Sequence, residues 1–334
     1  MDFPQRQDAE VGEQDSGGAR RILAAASSGG HFKQLVRLVD RIPGLGEVTW
    51  LTYDRGPTVE LLHAAGRTND HIVHAPYAAP RDVPNLLRNA RIARRLLRED
   101  NYDLAISTGA GIAVAALPVA RAKGIRSVFI ESATRSDGPS LSGRILQRVP
   151  GVELCTQNPG YGPRWRSVGS VHDDFEAGPP REVAKIERVV VSLGTIQPYG
   201  FRRLVDRLLT VLPVDAEVLW QTGATDVSDL PIRAREVVPA DELQDAMLAA
   251  DVVVAHAGTG TAMTAFELGR CPVLVPRRHA QDEHIDDHQV VTARALAERG
   301  LSSYAEVEDV DGDVLLDAAQ RSVVRRDDVP DLEL

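Results

Sequence analysis

At 334 residues, 43% hydrophobic and 26% charged, the chain has a globular composition and enough length for two domains of ordinary size. No apolar run approaches the roughly 20 residues of a membrane span, and the first residues are polar and acidic, unlike a signal peptide, so a cytoplasmic protein is expected. A net charge of −10 argues against a general nucleic-acid binder, which needs a basic surface to displace counterions from phosphates.

Residues 1–19 are rich in Asp, Glu, Gln and Gly without periodicity and read as a disordered tail. Strand-like runs then alternate with helical patterns: Ile22 to Ala26, a helix over Phe32 to Asp40, Val48 to Tyr53, a helix over Thr58 to Ala65, and His71 to His74. A helix over Val83 to Arg98, a strand Leu104 to Ile106, a helix over Ile112 to Lys123 and a strand Arg126 to Ile130 follow. This alternation predicts a parallel sheet covered by helices, spanning residues 20–172. Residues 173–187, with Asp-Asp and Gly-Pro-Pro, have linker composition.

The alternation restarts at Val189 and predicts a second domain over residues 188–318. Its strands are Val189 to Ser192, Glu217 to Gln221, Val252 to Ala255 and Val273 to Val275, with helices over Gly200 to Leu212, Asp241 to Ala249, Thr261 to Leu268 and His284 to Arg299. Residues 319–334 read as an acidic tail. Cys155 and Cys271 lie far apart in apolar contexts and are expected buried and reduced. No metal-ligand spacing stands out, and Asp311-Gly312-Asp313 reads as a helix start.

Four strands empty into Gly-rich turns: Ser27-Ser28-Gly29-Gly30-His31, Ser107-Thr108-Gly109-Ala110-Gly111, Ser192-Leu193-Gly194-Thr195, and His256-Ala257-Gly258-Thr259-Gly260-Thr261. Such a turn aims free backbone N–H groups and the positive end of a helix dipole at one point, an arrangement suited to phosphate. Two fall in each half, which places a ligand between two doubly wound domains, outside the carboxyl ends of their strands.

These motifs, with Ile130-Glu131-Ser132-Ala133-Thr134-Arg135, Gly200 to Leu204, Pro276-Arg277 and Asp287-His288-Gln289, resemble the GT-B glycosyltransferases of family 28, related to the peptidoglycan N-acetylglucosaminyltransferase. The resemblance covers about residues 20 to 305. It is closer still to the two-subunit transferases of oligosaccharide and exopolysaccharide assembly, here fused with the acceptor half first. It implies an α/β GT-B fold, two Rossmann-like domains facing across a cleft. It also implies an inverting transfer of a sugar from a nucleoside diphosphate, of UDP type, to a hydroxyl of a lipid-linked or polysaccharide-precursor acceptor. Amide dipoles would stabilise the leaving diphosphate, so no metal or other cofactor is expected.

Carried onto this sequence, the resemblance makes Gly194, Thr195, His256, Gly258, Thr259, Gly260 and Thr261 donor-binding, and Ser28, Gly29, Gly30, Thr108, Gly109 and Arg135 acceptor-binding. His31 is a candidate for general base or acceptor-phosphate ligand, and Glu131 is the rival base. His288 and Gln289 match positions that contact sugar hydroxyls, Gln289 foremost because an amide both donates and accepts. Many relatives carry a ribose-binding glutamate where this chain has Thr264, and Glu267, on the same helix face, could substitute. That departure keeps open a dTDP-sugar natural-product glycosyltransferase beside the UDP reading. The same fold also serves nucleotide-sugar 2-epimerases, and a non-catalytic partner subunit would keep the fold without the turnover. The segment Ser140 to Val149, apolar at Leu141, Ile145, Leu146 and Val149 and basic at Arg144 and Arg148, suits a membrane surface, where a polyprenyl-pyrophosphate acceptor would meet a peripheral enzyme. It suits equally an amphipathic helix packed on the sheet.

Overall fold

The computed structural model describes residues 19–53, 58–79, 82–135, 138–158, 161–195, 198–284 and 286–334; the expected N-terminal tail falls outside them but for Ala19. The first domain runs β1 (Arg20–Ala26), α1 (Gly30–Val39), β2 (Leu45–Tyr53), α2 (Thr58–Ala64), β3 (His71–Ala75), α3 (Val83–Glu99), β4 (Leu104–Gly109), α4 (Gly111–Ala122), β5 (Arg126–Glu131), α5 (Leu141–Leu146), β6 (Val152–Thr156) and β7 (Arg166–Ser167). After a short strand β8 (Phe175–Ala177), the second domain runs β9 (Arg188–Ser192), α6 (Arg202–Val211), β10 (Glu217–Gln221), β11 (Ala234–Arg235), α7 (Ala240–Ala249) and β12 (Val252–His256). It continues through α8 (Thr259–Glu267), β13 (Val273–Val275), α9 (His288–Glu298), β14 (Ser303–Tyr304) and α10 (Gly312–Gln320), and β15 (Val323–Arg325) closes the chain.

Ile22 to Ala26, Val189 to Ser192 and Val252 to His256 are buried along their whole length, the mark of central parallel strands covered on both faces. Helix α1 buries Phe32, Leu35, Val36, Leu38 and Val39, a stripe at helical spacing that seats it on the first sheet. Both large sheets are parallel, ordered β3-β2-β1-β4-β5-β6-β7 and β11-β10-β9-β12-β13-β14. In each, the chain leaves the first strand, winds outward one way, then returns to wind the other way. The order therefore reverses between β1 and β4 in one sheet and between β9 and β12 in the other, and ligands of such folds bind outside the carboxyl ends of the strands at that point.

The end of the chain departs from the expected acidic tail. Strand β15 pairs antiparallel with β8, and Leu332, 3% exposed, joins the hydrophobic core of the first domain. Arg41 holds the segment from both sides: its Nε donates to the Pro330 carbonyl at 2.7 Å, and its own carbonyl accepts from the Leu332 N–H at 2.7 Å. The acidic composition concealed a few apolar anchors and a backbone that is bonded on its way.

The helix expected from His284 starts instead at His288. Asp287 accepts from the His279 N–H at 2.9 Å and Asp286 accepts from the His288 N–H at 3.4 Å, so short polar side chains claim backbone donors just ahead of the helix. Asp311 does cap a helix, accepting from the Val314 N–H at 2.8 Å. Both cysteines are free and buried.

Candidate active site

On the first domain, the reversal point between β1 and β4 is bridged by His31. Its Nδ1 lies 2.8 Å from the Thr108 carbonyl, while the Thr108 hydroxyl donates to the His31 carbonyl at 2.7 Å. A carbonyl only accepts, so Nδ1 carries the proton and Nε2 is left with a bare lone pair. Burial holds the imidazole below its ordinary value, opposed in part by the Thr108 carbonyl, and keeps it neutral near pH 7. Gly29, at φ +87°, makes the turn that points α1 here. Gly109 permits the close approach: a Cβ there would sit 3.0 Å from His31 Cε1. Ser28 to Gly30, Thr108, Gly109 and His31 are thus brought together.

Glu131 is placed differently. It is 1% exposed, and its two carboxylate oxygens accept from the Ser140 N–H at 2.8 Å and the Ser132 N–H at 3.3 Å. Burial raises its proton affinity, and those backbone donors partly offset the effect. The rival base of the sequence reading is a buried carboxylate that folds its own loop. Gln34 and Gln157, not singled out from the sequence, complete that scaffold: Gln34 Oε1 accepts from the Ala133 N–H at 3.0 Å and from Gln157 Nε2 at 3.1 Å. Arg135, at the loop's far side, reaches across to the second domain and lies 3.6 Å from Asp286.

On the second domain, the reversal point between β9 and β12 also carries a histidine. His256, 8% exposed, puts Nδ1 3.2 Å from the Ser192 carbonyl. Its ring is enclosed by two glycines: a Cβ on Gly194 would come within 2.5 Å of it, and one on Gly258 closer still. Gly194 also sits at φ +77°, backbone that favours glycine. Burial foremost, then the Arg277 charge, pushes the His256 imidazole down to about 3, so it is neutral.

Gly258 is the N-cap of α8, and the first intrahelical bond is Ala262 N–H to the Gly258 carbonyl at 3.1 Å. The N–H groups of Thr259, Gly260 and Thr261 precede it and have no intrahelical acceptor, as at any helix start. Arg277, 1% exposed, donates to the Leu193 carbonyl just before Gly194, and its Nε has no hydrogen-bond partner among the described residues. Burial pushes this guanidinium down to about 10, and Glu283, whose charge favours it, is committed to Arg203 at 2.9 and 3.0 Å. Arg277 belongs to a motif noticed in the sequence, but nothing in a Pro-Arg dipeptide signals that the cation is buried.

The other residues expected at the donor side make contacts within the protein. Gln289 is 3% exposed and its Oε1 accepts from the Arg277 N–H at 3.0 Å, so the amide fixes the backbone that carries Arg277. Thr264 donates to the Gly260 carbonyl of its own helix at 3.1 Å. Glu267 turns toward the first domain and pairs with Arg37 at 2.5 Å. Thr195 is exposed beside Gly194. His288 bonds through Nδ1 to Asp286, and His284 joins them, a three-residue grouping absent from the sequence expectations.

The buried histidines carry a stability signature. His256 at about 3 and His172 at about 4 both lie below the ordinary imidazole value of about 6.5. Their contribution is fully present above that value and is lost as the pH falls toward the folded values, because the unfolded chain then binds more protons. The urea midpoint is expected to fall between pH 6.5 and 4, with a shallower slope in His172→Asn; an identical slope in that variant would contradict the assignment.

Comparison with known proteins gives this geometry a lineage. Residues 188–322 match the glycosyltransferase family 28 C-terminal domain. A UDP-N-acetylglucosamine–N-acetylmuramyl-(pentapeptide) pyrophosphoryl-undecaprenol N-acetylglucosamine transferase of Shewanella amazonensis is 26% identical over 316 residues, covering 85% of this chain and 83% of its own. The fold resembles that of Acinetobacter baumannii MurG, with a TM-score of 0.54 at 19% identity over 89% of both chains. It equally resembles a UDP-N-acetylglucosamine 2-epimerase, with a TM-score of 0.56 at 12% identity over 90% of this chain and 86% of that one. Likeness at such identity speaks to architecture alone. Residues 188–322 thus carry the family 28 C-terminal domain, and the chain has the two-domain GT-B fold of the glycosyltransferases it resembles.

Proposed function

We propose that this enzyme moves a sugar from a UDP-sugar, with inversion and without a metal in the reaction, to a hydroxyl of a lipid-linked or polysaccharide-precursor acceptor. The observation that carries the reading is the pairing of two reversal points with different chemistry. One offers an unprotonated, oriented His31 Nε2; the other offers the α8 helix end, the Gly194 turn and a buried Arg277 that has no ion-pair partner among the described residues. An uncompensated buried cation beside free N–H groups suits a diphosphate. The relative's printed name, with a UDP-linked donor and a pyrophosphoryl-undecaprenol acceptor, supports both substrate classes.

In this mechanism the donor diphosphate rests on the N–H groups of Thr259 to Thr261, with Gly194 and Thr195 closing over it. His31 Nε2 takes the proton of the acceptor hydroxyl as that oxygen attacks the anomeric carbon. The bond from that carbon to the diphosphate oxygen breaks on the opposite face. The departing negative charge is met by fixed amide dipoles and by Arg277, which need no reorganisation.

Transfer to acceptor is measured as UDP release coupled to product formation. His31→Gln is expected to lower kcat by about 10²- to 10⁴-fold, as loss of a positioned base does. Glu131→Gln is expected to keep turnover while costing about 1–3 kcal/mol of stability through its loop. The acid limb of kcat/KM should lie below about 6.5, because burial depresses the His31 imidazole. Full turnover in His31→Gln would contradict the role.

The acceptor side supports a membrane-borne substrate. In α5, Leu141 is 59% exposed and Ile145 38%, while Leu146 is buried and anchors the helix to the sheet; Arg144 and Arg148 are exposed beside them. Apolar groups turned to solvent and flanked by cations match a surface that rests on anionic lipid. No helix among the described residues is long and apolar enough to cross a membrane. Replacing Arg144 and Arg148 together by alanine is expected to cost about 2 kcal/mol of binding to anionic vesicles, roughly thirtyfold; unchanged partitioning would reject this face.

A further inference from the structure

Gln157, the residue after β6, is buried and uses its whole side-chain amide. Its Nε2 donates to Gln34 Oε1 at 3.1 Å and to the Glu131 carbonyl at 3.1 Å, and its Oε1 accepts from the Val171 N–H at 3.0 Å. An amide offers two N–H donors and one carbonyl, and here the three bonds reach three separate stretches of chain. Gln34 lies on α1 three residues after His31, on the same side of that helix. Glu131 ends β5 and starts the loop in which Gln34 Oε1 accepts from the Ala133 N–H and Glu131 accepts from the Ser140 N–H. Val171 starts the turn that leads into β8.

That turn is where the two domains are joined. Asp173 Oδ2 accepts from the Ser170 N–H at 2.6 Å and closes the turn on itself. The other oxygen of Asp173 lies 2.8 Å from Arg299, the C-cap residue of α9 in the second domain. Asp174 pairs with Arg37, which also meets Glu267 of the second domain. The turn is therefore held by the second domain on one side and by Gln157 on the other. Apolar packing could fill the place of Gln157 but is non-directional and would fix no register between these segments. A carboxylate there would set lone pairs against Gln34 Oε1 and the Glu131 carbonyl.

We infer that Gln157 is a positioning residue: its amide holds the His31 helix and the loop after β5 in register with the domain junction, and through that junction with the donor domain. It touches neither substrate and acts through the backbone and the Gln34 side chain that it bonds. The inference rests on the proposed transfer for the meaning of that register, because there His31 and the loop form the acceptor side and Arg299 belongs to the domain that holds the donor. A buried polar network whose members are all bonded specifies one arrangement, so loss of its central amide loosens all three segments together.

The test compares full-length wild type with Gln157→Met, Arg299→Ala and the double variant. Methionine keeps the volume of Gln157 and removes its hydrogen bonds, whereas Arg299 is exposed, so its alanine variant removes the junction pair and leaves the core intact. With UDP-N-acetylglucosamine and a farnesyl-pyrophosphoryl sugar as probes, Gln157→Met is expected to lower kcat/KM for the acceptor by about 10- to 10²-fold, as a displaced catalytic group does, while UDP affinity stays unchanged. Arg299→Ala should raise the acceptor KM as well, and the double variant should be no worse than Gln157→Met alone, because both act through one turn. Hydrogen exchange supplies a readout that needs no turnover: the Ala133 and Ser140 N–H groups should exchange faster in both single variants, while those of β12 keep their rates. Unchanged exchange at Ala133 and Ser140, acceptor kinetics equal to wild type, or fold-changes that multiply in the double variant would overturn the proposal. Wild type that turns over neither probe would count against the transfer reading instead, and the exchange rates would still decide the role of Gln157.

Discussion

The enclosure of the His256 ring by backbone is the constraint on which the donor half depends. Gly194 and Gly258 press on the ring from two strands, and a side chain on either would overlap it. A third glycine packs behind them: a Cβ on Gly223, at φ +57°, would overlap the Gly194 carbonyl. The ring thus fixes where β9 ends, where α8 begins and how closely the next turn can approach. Arg277 is drawn into the same knot through the Leu193 carbonyl, and Gln289 holds the Arg277 backbone in turn. The cost of burying a neutral imidazole and a guanidinium is accepted where free N–H groups must point at one place.

The first domain solves a related problem with the same residue type. His31 follows β1 and bonds a β4 carbonyl, whereas His256 ends β12 and bonds a β9 carbonyl. Each ring spans its sheet's reversal point through Nδ1. The enclosures differ: His256 is almost wholly covered, while His31 is only partly covered. Ion pairs then join the domains. Arg37 on α1 links Asp174 at 2.6 Å with Glu267 at 2.5 Å, Arg299 meets Asp173 at 2.8 Å, and Arg135 meets Asp286 at the cleft. Glu267 is therefore part of the domain junction.

The layered α/β architecture was legible because buried parallel strands read as continuous apolar runs, as in Ile22 to Ala26 and Val252 to Ala255, and because glycine turns mark strand ends. The Gly-Gly-His and His-Ala-Gly-Thr-Gly turns were legible for the same reason. Direction was not. Glu131, Gln289 and Glu267 each stand in a motif, yet one folds a loop, one holds a backbone N–H and one pairs across the domain junction, outcomes set by which hydrogen-bonding group happens to lie nearest. Short strands such as β8 and β15 also escaped, since three residues carry no periodicity and their partners lie far along the chain. The grouping of His284, Asp286 and His288 was hidden because a helix was expected from His284, whereas α9 starts at His288.

The most direct test of the donor site is calorimetric titration of the EDTA-treated protein with UDP and with dTDP, for the wild type and Gly258→Ala. UDP is expected to bind without metal, and the added methyl group, forced against His256, to abolish binding of both nucleotides. Failure of either nucleotide to bind, or UDP binding undiminished in Gly258→Ala, would contradict a donor site built around the His256 ring.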